Sequence, residues 1–231
     1  SWGLTQNYLT LRLFGQGGEA LPDDRLESEL AGVFASEEGK FVVHRTPGTI
    51  SSFSWRATGK QPLVMGMTMP LEKDVLCYPM PSSYVGEVRE PGRPARLTVH
   101  SHRLAVRDDG FAVTVELGWC EGKVRQESAF VSLPDGRSVY LELRQAVADV
   151  VIVSATSGNV ALFDDVRWYR QTRPRVFFGA QGTLQPDADT IHEGNWVNVD
   201  DRLGYAVVDT GRFRLAAVPG RPCIWRGDGT M

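Results

Sequence analysis

Two histidines one residue apart, His100-Ser101-His102, are the spacing in this chain closest to metal chemistry. In a regular strand residues i and i+2 project to the same side, so both imidazoles are expected on one face, where they could supply two ligands to a divalent ion. Such a site needs a third ligand and an open position for water. Arg103-Leu104-Ala105-Val106-Arg107 occupy the stretch where a nearby carboxylate would help. A small metal-dependent β-barrel enzyme using His100 and His102 therefore stands beside the plainer reading of a surface or structural pair.

Acidic doublets recur at Asp23-Asp24, Asp108-Asp109, Asp164-Asp165 and Asp200-Asp201. Paired carboxylates hydrolyse glycosides when they face each other across the substrate, but neighbours on a strand point to opposite sides, so no single doublet is that pair. Asp200 or Asp201 could instead ligate calcium through oxygen or pair with a nearby Arg. No nucleophile elbow, phosphate-binding loop, dinucleotide fingerprint, HExxH or catalytic-Cys pattern occurs. No catalytic residue is assigned, and the expectation is a chain without a catalytic centre or cofactor, a divalent metal being the alternative.

The aromatic residues carry the stronger suggestion. Trp55, Trp119, Trp168, Trp196 and Trp225 lie near Gly, Arg, Asp or Asn, and a flat ring with polar donors beside it is a common way to hold a sugar. The competing use of large aromatics is to fill a core. The candidate carbohydrate contacts are Trp55, Trp119, Trp196 and Tyr205, with Arg56 and Arg202 as polar partners.

These residues must be positioned by strands. Phe111, Val113, Val115, Leu117 and Trp119 alternate with Ala112, Thr114, Glu116 and Gly118, a long strand with one apolar face. Val139, Leu141 and Leu143 face away from Glu142 and Arg144 in the same way. Leu9, Leu11 and Leu13 repeat the pattern, Val150 to Val153 form a short apolar run, and Val176 to Phe178, Tyr205 to Val208 and Phe213 to Leu215 follow. Asp108-Asp109-Gly110, Pro134-Asp135-Gly136, Ser157-Gly158-Asn159 and Thr210-Gly211 mark tight turns between them. Many short strands at close spacing predict an all-β antiparallel sandwich of the large or jelly-roll type. One segment departs: Leu26, Leu30, Val33 and Phe34, after Asp23-Asp24 and before Gly39, have helical spacing and predict one short helix near 23–36. Residues 86–95 and 179–195 are expected to be long loops.

The chain has 231 residues, 42% of them hydrophobic and 23% charged, a composition that folds, at a length that suits one β-sandwich domain of about 200–250 residues. Twenty-five basic against 28 acidic residues give −3 with no basic run, which leaves phosphate-driven nucleic-acid binding without support. Local clusters at Arg167, Arg170, Arg173 and Arg175, and at Arg212 and Arg214, could meet acidic sugars. Cys77, Cys120 and Cys223 are three and far apart, neither a disulfide framework nor a metal knuckle. No run of 18 apolar residues predicts a membrane span. The opening Ser1-Trp2-Gly3 is expected of a processed product or a fragment of a longer polypeptide.

Two phrases add a resemblance. Ser51-Ser52-Phe53-Ser54-Trp55-Arg56-Ala57 and Asn195-Trp196-Val197-Asn198-Val199-Asp200-Asp201-Arg202-Leu203-Gly204-Tyr205 resemble segments of the β-sandwich regions attached to bacterial polysaccharide-degrading enzymes, especially lyases of the heparinase and hyaluronate-lyase kind. The resemblance implies an accessory sandwich beside a helical catalytic toroid that this chain does not contain. Its expected role is that of a non-catalytic domain of a carbohydrate-active enzyme, supporting a catalytic domain in the same polypeptide and touching polysaccharide or oligosaccharide. An autonomous carbohydrate-binding module is the alternative, separable by how many tryptophans stand exposed on one face. A secreted or extracytoplasmic location is expected.

Overall fold

The computed structural model of the chain describes residues 25, 28–58, 61–70, 85, 88, 90, 96–147, 176–178, 183–184, 192–199, 203–206, 213–218 and 221–225. The chain divides into two units, Ser1–Leu30 and Ala31–Met231. In the first, Arg25, Ser28 and Glu29 have helical backbone. Arg25 pairs with Glu29 at 2.8 Å, and the Ser28 hydroxyl donates to the Arg25 carbonyl at 3.0 Å.

Among its described residues the second unit is all-β and sandwich-like, as expected. Four strands, β1 (Gly32–Ser36), β2 (Phe41–Arg45), β3 (Thr49–Thr58) and β4 (Gln61–Pro70), form one antiparallel sheet. Four more, β5 (Leu97–Arg107), β6 (Gly110–Trp119), β7 (Val124–Ser132) and β8 (Ser138–Ala146), form another. Each runs in sequence order, an up-and-down meander without the crossing connections of a jelly roll. The expected helix is shortened here: Arg25, Ser28 and Glu29 are helical, but Val33 and Phe34 lie in β1, paired with His44 and Val43. Helical spacing over four residues does not outweigh the antiparallel ladder with β2, and Phe34 ends 64% exposed beside Phe41.

The two meanders face each other across one apolar core. Val42, Phe53, Trp55 and Val64 come from the first sheet; Phe111, Val113, Val115, Leu117, Trp119, Val124 and Phe130 come from the second. They are the alternate positions of their strands, as period two requires, and each fully buried Val, Leu or Phe contributes about 1.5–3 kcal/mol against exposure. At one end the sheets are tied by polar bonds. His44 Nδ1 and Ser132 Oγ are 2.8 Å apart, the Thr49 hydroxyl donates to the Gly136 carbonyl at 3.1 Å, and the hydroxyls of Ser51, Thr68 and Ser138 form a chain from β3 through β4 to β8.

The hairpins follow the turn signals with one difference of mechanism. Asp108 and Asp109 link β5 to β6, with Arg107 opposite Gly110. Gly110 is needed there for space, because a Cβ at that position would lie 2.5 Å from the Ser132 carbonyl oxygen. Gly136 does have positive φ, 82°. The β6–β7 hairpin carries a turn that the sequence reading passed over, with Cys120 and Glu121 at φ 52° and 62° before Gly122.

Strand β8 is inside out. Its apolar stripe faces outward, with Val139 44%, Leu141 61% and Leu143 66% exposed, while Tyr140, Glu142 and Arg144 occupy the inner side.

Two smaller sheets follow. One has β9 (Val176–Phe178), β10 (Thr183–Leu184), β12 (Trp196–Val199) and β13 (Leu203–Ala206), in the order β10-β9-β12-β13; the other has β11 (His192–Gly194), β14 (Phe213–Val218) and β15 (Arg221–Trp225). The expected strand at 176–178 is β9, that at 213–215 opens β14, and that at 205–208 overlaps β13 at 205–206, with 207–208 outside the described residues. The segment 179–195, expected as one long loop, contains β10 and β11. The readings at 9–13, 23–24, 150–153, 157–159, 164–175 and 210–212, and most of 86–95, lie outside the described residues. Among the described residues no helix is long and apolar enough to cross a membrane.

Candidate functional site

The His100-Ser101-His102 pair is separated by a β-bulge. The β5–β6 register runs Val99 opposite Leu117 and then Ser101 opposite Glu116, so one residue is inserted between them. His102 is thereby opposite the core residue Val115, and its ring stacks on Trp55 with centroids 4.9 Å apart and planes 28° from parallel. Its Nε2 lies 3.1 Å from Glu37 Oε2 in the β1–β2 turn. His100 covers Gly118 from the other side, in the space a Cβ would fill. The two imidazoles therefore lie on opposite faces of the sheet and do not converge on one ion. Among the described residues no group of three His, Cys, Asp or Glu side chains converges as metal ligands would. Asp200 and Asp201 lie outside the described residues.

The tryptophans divide. Trp55 and Trp119 are 1% and 2% exposed and belong to the core. Neither offers a ring face to a polymer from those positions, a difference from their expected place among sugar contacts. Their neighbours explain the burial, since each stands in the inward register of a central strand. Trp55 leaves its indole N–H without a hydrogen-bond partner, whereas Trp119 donates to Gln126 Oε1 at 2.8 Å. Arg56 is exposed on the outer side of β3. Arg202 lies outside the described residues.

Trp196 is the candidate that reaches the surface, 39% exposed on β12 with Asn195 exposed before it. The register pairs Trp196 with Ala206, Val197 with Tyr205 and Asn198 with Gly204. Tyr205 is thus not the residue opposite Trp196. The face that carries Trp196 also carries half-buried Asn198, and across from them lie exposed Ala206 and exposed Gly204, above which a Cβ would meet nothing within 4 Å. An aromatic wall therefore stands beside a floor of two small residues with a side-chain amide next to it. An apolar sugar face can lie against such a ring while a hydroxyl reaches the amide, which donates and accepts.

The most highly organised polar constellation is elsewhere, and the sequence reading did not single it out. On the inner face of β6, β7 and β8, Gln126 Oε1 accepts from Trp119 at 2.8 Å and from Arg144 Nε at 3.0 Å. Gln126 Nε2 donates to Ser128 Oγ at 2.8 Å and Tyr140 Oη at 3.2 Å. Tyr140 Oη donates to Glu142 Oε2 at 2.9 Å, and Arg144 pairs with the same oxygen at 3.2 Å. The Arg144 and Glu142 side chains are only 6% and 8% exposed. Burial, reinforced by the Glu142 carboxylate, pushes the Tyr140 phenol well above its usual range. The signal that could have found this cluster is the run of polar residues at every second position, Gln126-x-Ser128 and Tyr140-x-Glu142-x-Arg144, in adjacent strands.

His44 and Ser132 form a second buried polar pair, 3% exposed each. Burial lowers the His44 pKa, with the Asp109 charge acting weakly the other way. Burial likewise raises the Cys120 thiol above its usual range, which disfavours the reactive thiolate.

No protein-family model matches the chain, and neither a curated protein nor a solved structure matches it significantly.

Proposed function

We propose that this chain is a non-catalytic β-sandwich domain of a carbohydrate-active enzyme, working beside a catalytic domain of the same polypeptide and touching polysaccharide through the Trp196 face of the β12–β13 hairpin. The observation that carries the reading is the exposed indole of Trp196 standing beside the small-residue floor of Gly204 and Ala206, with Asn198 across from Gly204. A sugar ring needs a flat apolar partner with clearance for its own thickness, and the exposed indole of Trp196 with the open space over Gly204 supports that reading. Burial of Trp55 and Trp119 favours the accessory reading over an autonomous module, for which several exposed aromatics on one concave face were expected.

The test is a glycan panel read by retention and by intrinsic fluorescence, with and without chelator. Trp196→Ala should lower affinity for the retained polysaccharide about tenfold, the equivalent of about 1.4 kcal/mol. Gly204→Val should lower it comparably by raising the floor. Unchanged retention in both variants counts against sugar contact at this face. Loss of binding on chelation alone would count against a contact carried by Trp196.

A further inference from the structure

We propose that the buried network of Trp119, Gln126, Ser128, Tyr140, Glu142 and Arg144 is a register lock that holds β8 with its apolar side outward.

In a strand of strict alternation, a shift of one residue against its neighbour exchanges the two faces completely. For β8 that shift would turn Val139, Leu141 and Leu143 inward and Tyr140, Glu142 and Arg144 outward. Hydrophobic burial alone favours the exchanged arrangement, because Leu141 and Leu143 stand 61% and 66% exposed. Something specific to the observed register must oppose it. The bonds do so: Arg144 Nε reaches Gln126 Oε1 at 3.0 Å, Tyr140 Oη reaches Gln126 Nε2 at 3.2 Å and Ser128 Oγ at 3.1 Å, and these contacts need β8 set against β7 with Tyr140 opposite Phe130, Glu142 opposite Ser128 and Arg144 opposite Gln126. A one-residue shift breaks all of them together and takes from Gln126, 0% exposed, its Tyr140 and Arg144 partners, leaving only Trp119 and Ser128. Unpaired polar groups in a low-dielectric interior are costly, and single buried polar contacts are known to select one register among several. Trp119 extends the lock to β6 through Gln126, so three strands are keyed to one another.

The experiment places a reporter thiol on the outward stripe, Leu141→Cys, and follows its maleimide modification by peptide mass. The naturally buried Cys120 serves as the internal gauge of an intact fold. With the network present, the thiol at 141 should react at the rate of an exposed thiol while Cys120 stays protected. In the Tyr140→Phe/Arg144→Ser background, which removes both β8 side chains that bond Gln126, modification at 141 should slow at least tenfold with Cys120 still protected. Undiminished reactivity at 141 with Cys120 protected overturns the lock, because the register then survives without it. If Cys120 becomes reactive and the double variant has therefore unfolded, the ratio is read in Ser128→Ala, which removes one hydroxyl. There a slowing of about threefold supports the lock, and no change overturns it.

Discussion

Trp55 and His102 stack ring on ring, 4.9 Å between centroids, one from each of the two facing sheets. That contact draws both residues away from the chemistry their types suggest. The ring expected to meet a sugar is in the core, and the imidazole considered as a metal ligand is held between Trp55 and Glu37. Trp55→Ala should therefore cost about 3–5 kcal/mol of stability, as for other buried large aromatics. His102→Ala should cost about 1 kcal/mol, the scale of an aromatic contact at a partly wet site. Urea denaturation of the two variants measures both, and a smaller loss in Trp55→Ala than in His102→Ala would contradict the placement.

The buried His44–Ser132 pair predicts acid sensitivity. Burial lowers the folded pKa of His44 below its ordinary value of 6.5, so the unfolded chain takes up a proton at a pH where the folded chain does not. Stability from this group is complete above pH 6.5, falls as the pH drops below it, and levels off once the folded histidine also protonates. The midpoint of urea unfolding should decline over that window. In His44→Gln the decline should be absent or reduced.

Arg144 and Glu142 predict a non-additive pair. Arg144→Met leaves the Glu142 carboxylate buried without its guanidinium and should cost about 3–5 kcal/mol. The double variant Glu142→Leu/Arg144→Met removes both charges together and should be less destabilised than the single one. A double-mutant cycle by chemical denaturation reads the coupling directly, and simple addition of the two losses would count against an ionic network.

Two glycines of β6 should respond differently to alanine. At Gly110 the new Cβ meets backbone, the Ser132 carbonyl oxygen at 2.5 Å, so the β6–β7 ladder must shift at a cost of about 1–3 kcal/mol. At Gly118 it meets the far end of the His100 side chain, which can swing into solvent. Gly110→Ala should therefore lower the thermal midpoint clearly more than Gly118→Ala.

The outward stripe of β8 should tolerate polar change. Leu141→Gln and Leu143→Ser remove little buried surface and should alter stability by no more than about 0.5 kcal/mol. Val113→Ala, a comparable loss of apolar atoms in the core, should cost several times more. Thermal unfolding of the three variants side by side decides it.

Much of the fold was legible in the sequence because alternation is a local property. Phe111, Val113, Val115, Leu117 and Trp119 had to share one face of any strand they formed, and Asp108-Asp109-Gly110 had to turn the chain into it. The candidate site was less legible. Of the tryptophans named from composition, Trp196 stands at the surface and Trp55 and Trp119 in the core, a division that ring chemistry cannot make because a core and a sugar both want flat apolar area.

What the sequence determined by itself, then, was which residues lie together on a strand face. Tertiary structure decided which face is inside and where a strand departs from regularity. Alternation assigns Val139, Leu141 and Leu143 to one side of β8 and Tyr140, Glu142 and Arg144 to the other, but only the partners offered by Gln126, Ser128 and Trp119 on neighbouring strands turn the polar side inward. The same holds for His100 and His102. The two-residue period puts them together, and a single inserted residue, visible only in the pairing of β5 with β6, puts them apart. Spacing along a chain is fixed by covalent geometry, whereas register and the side that meets the core are collective properties of strands distant in sequence.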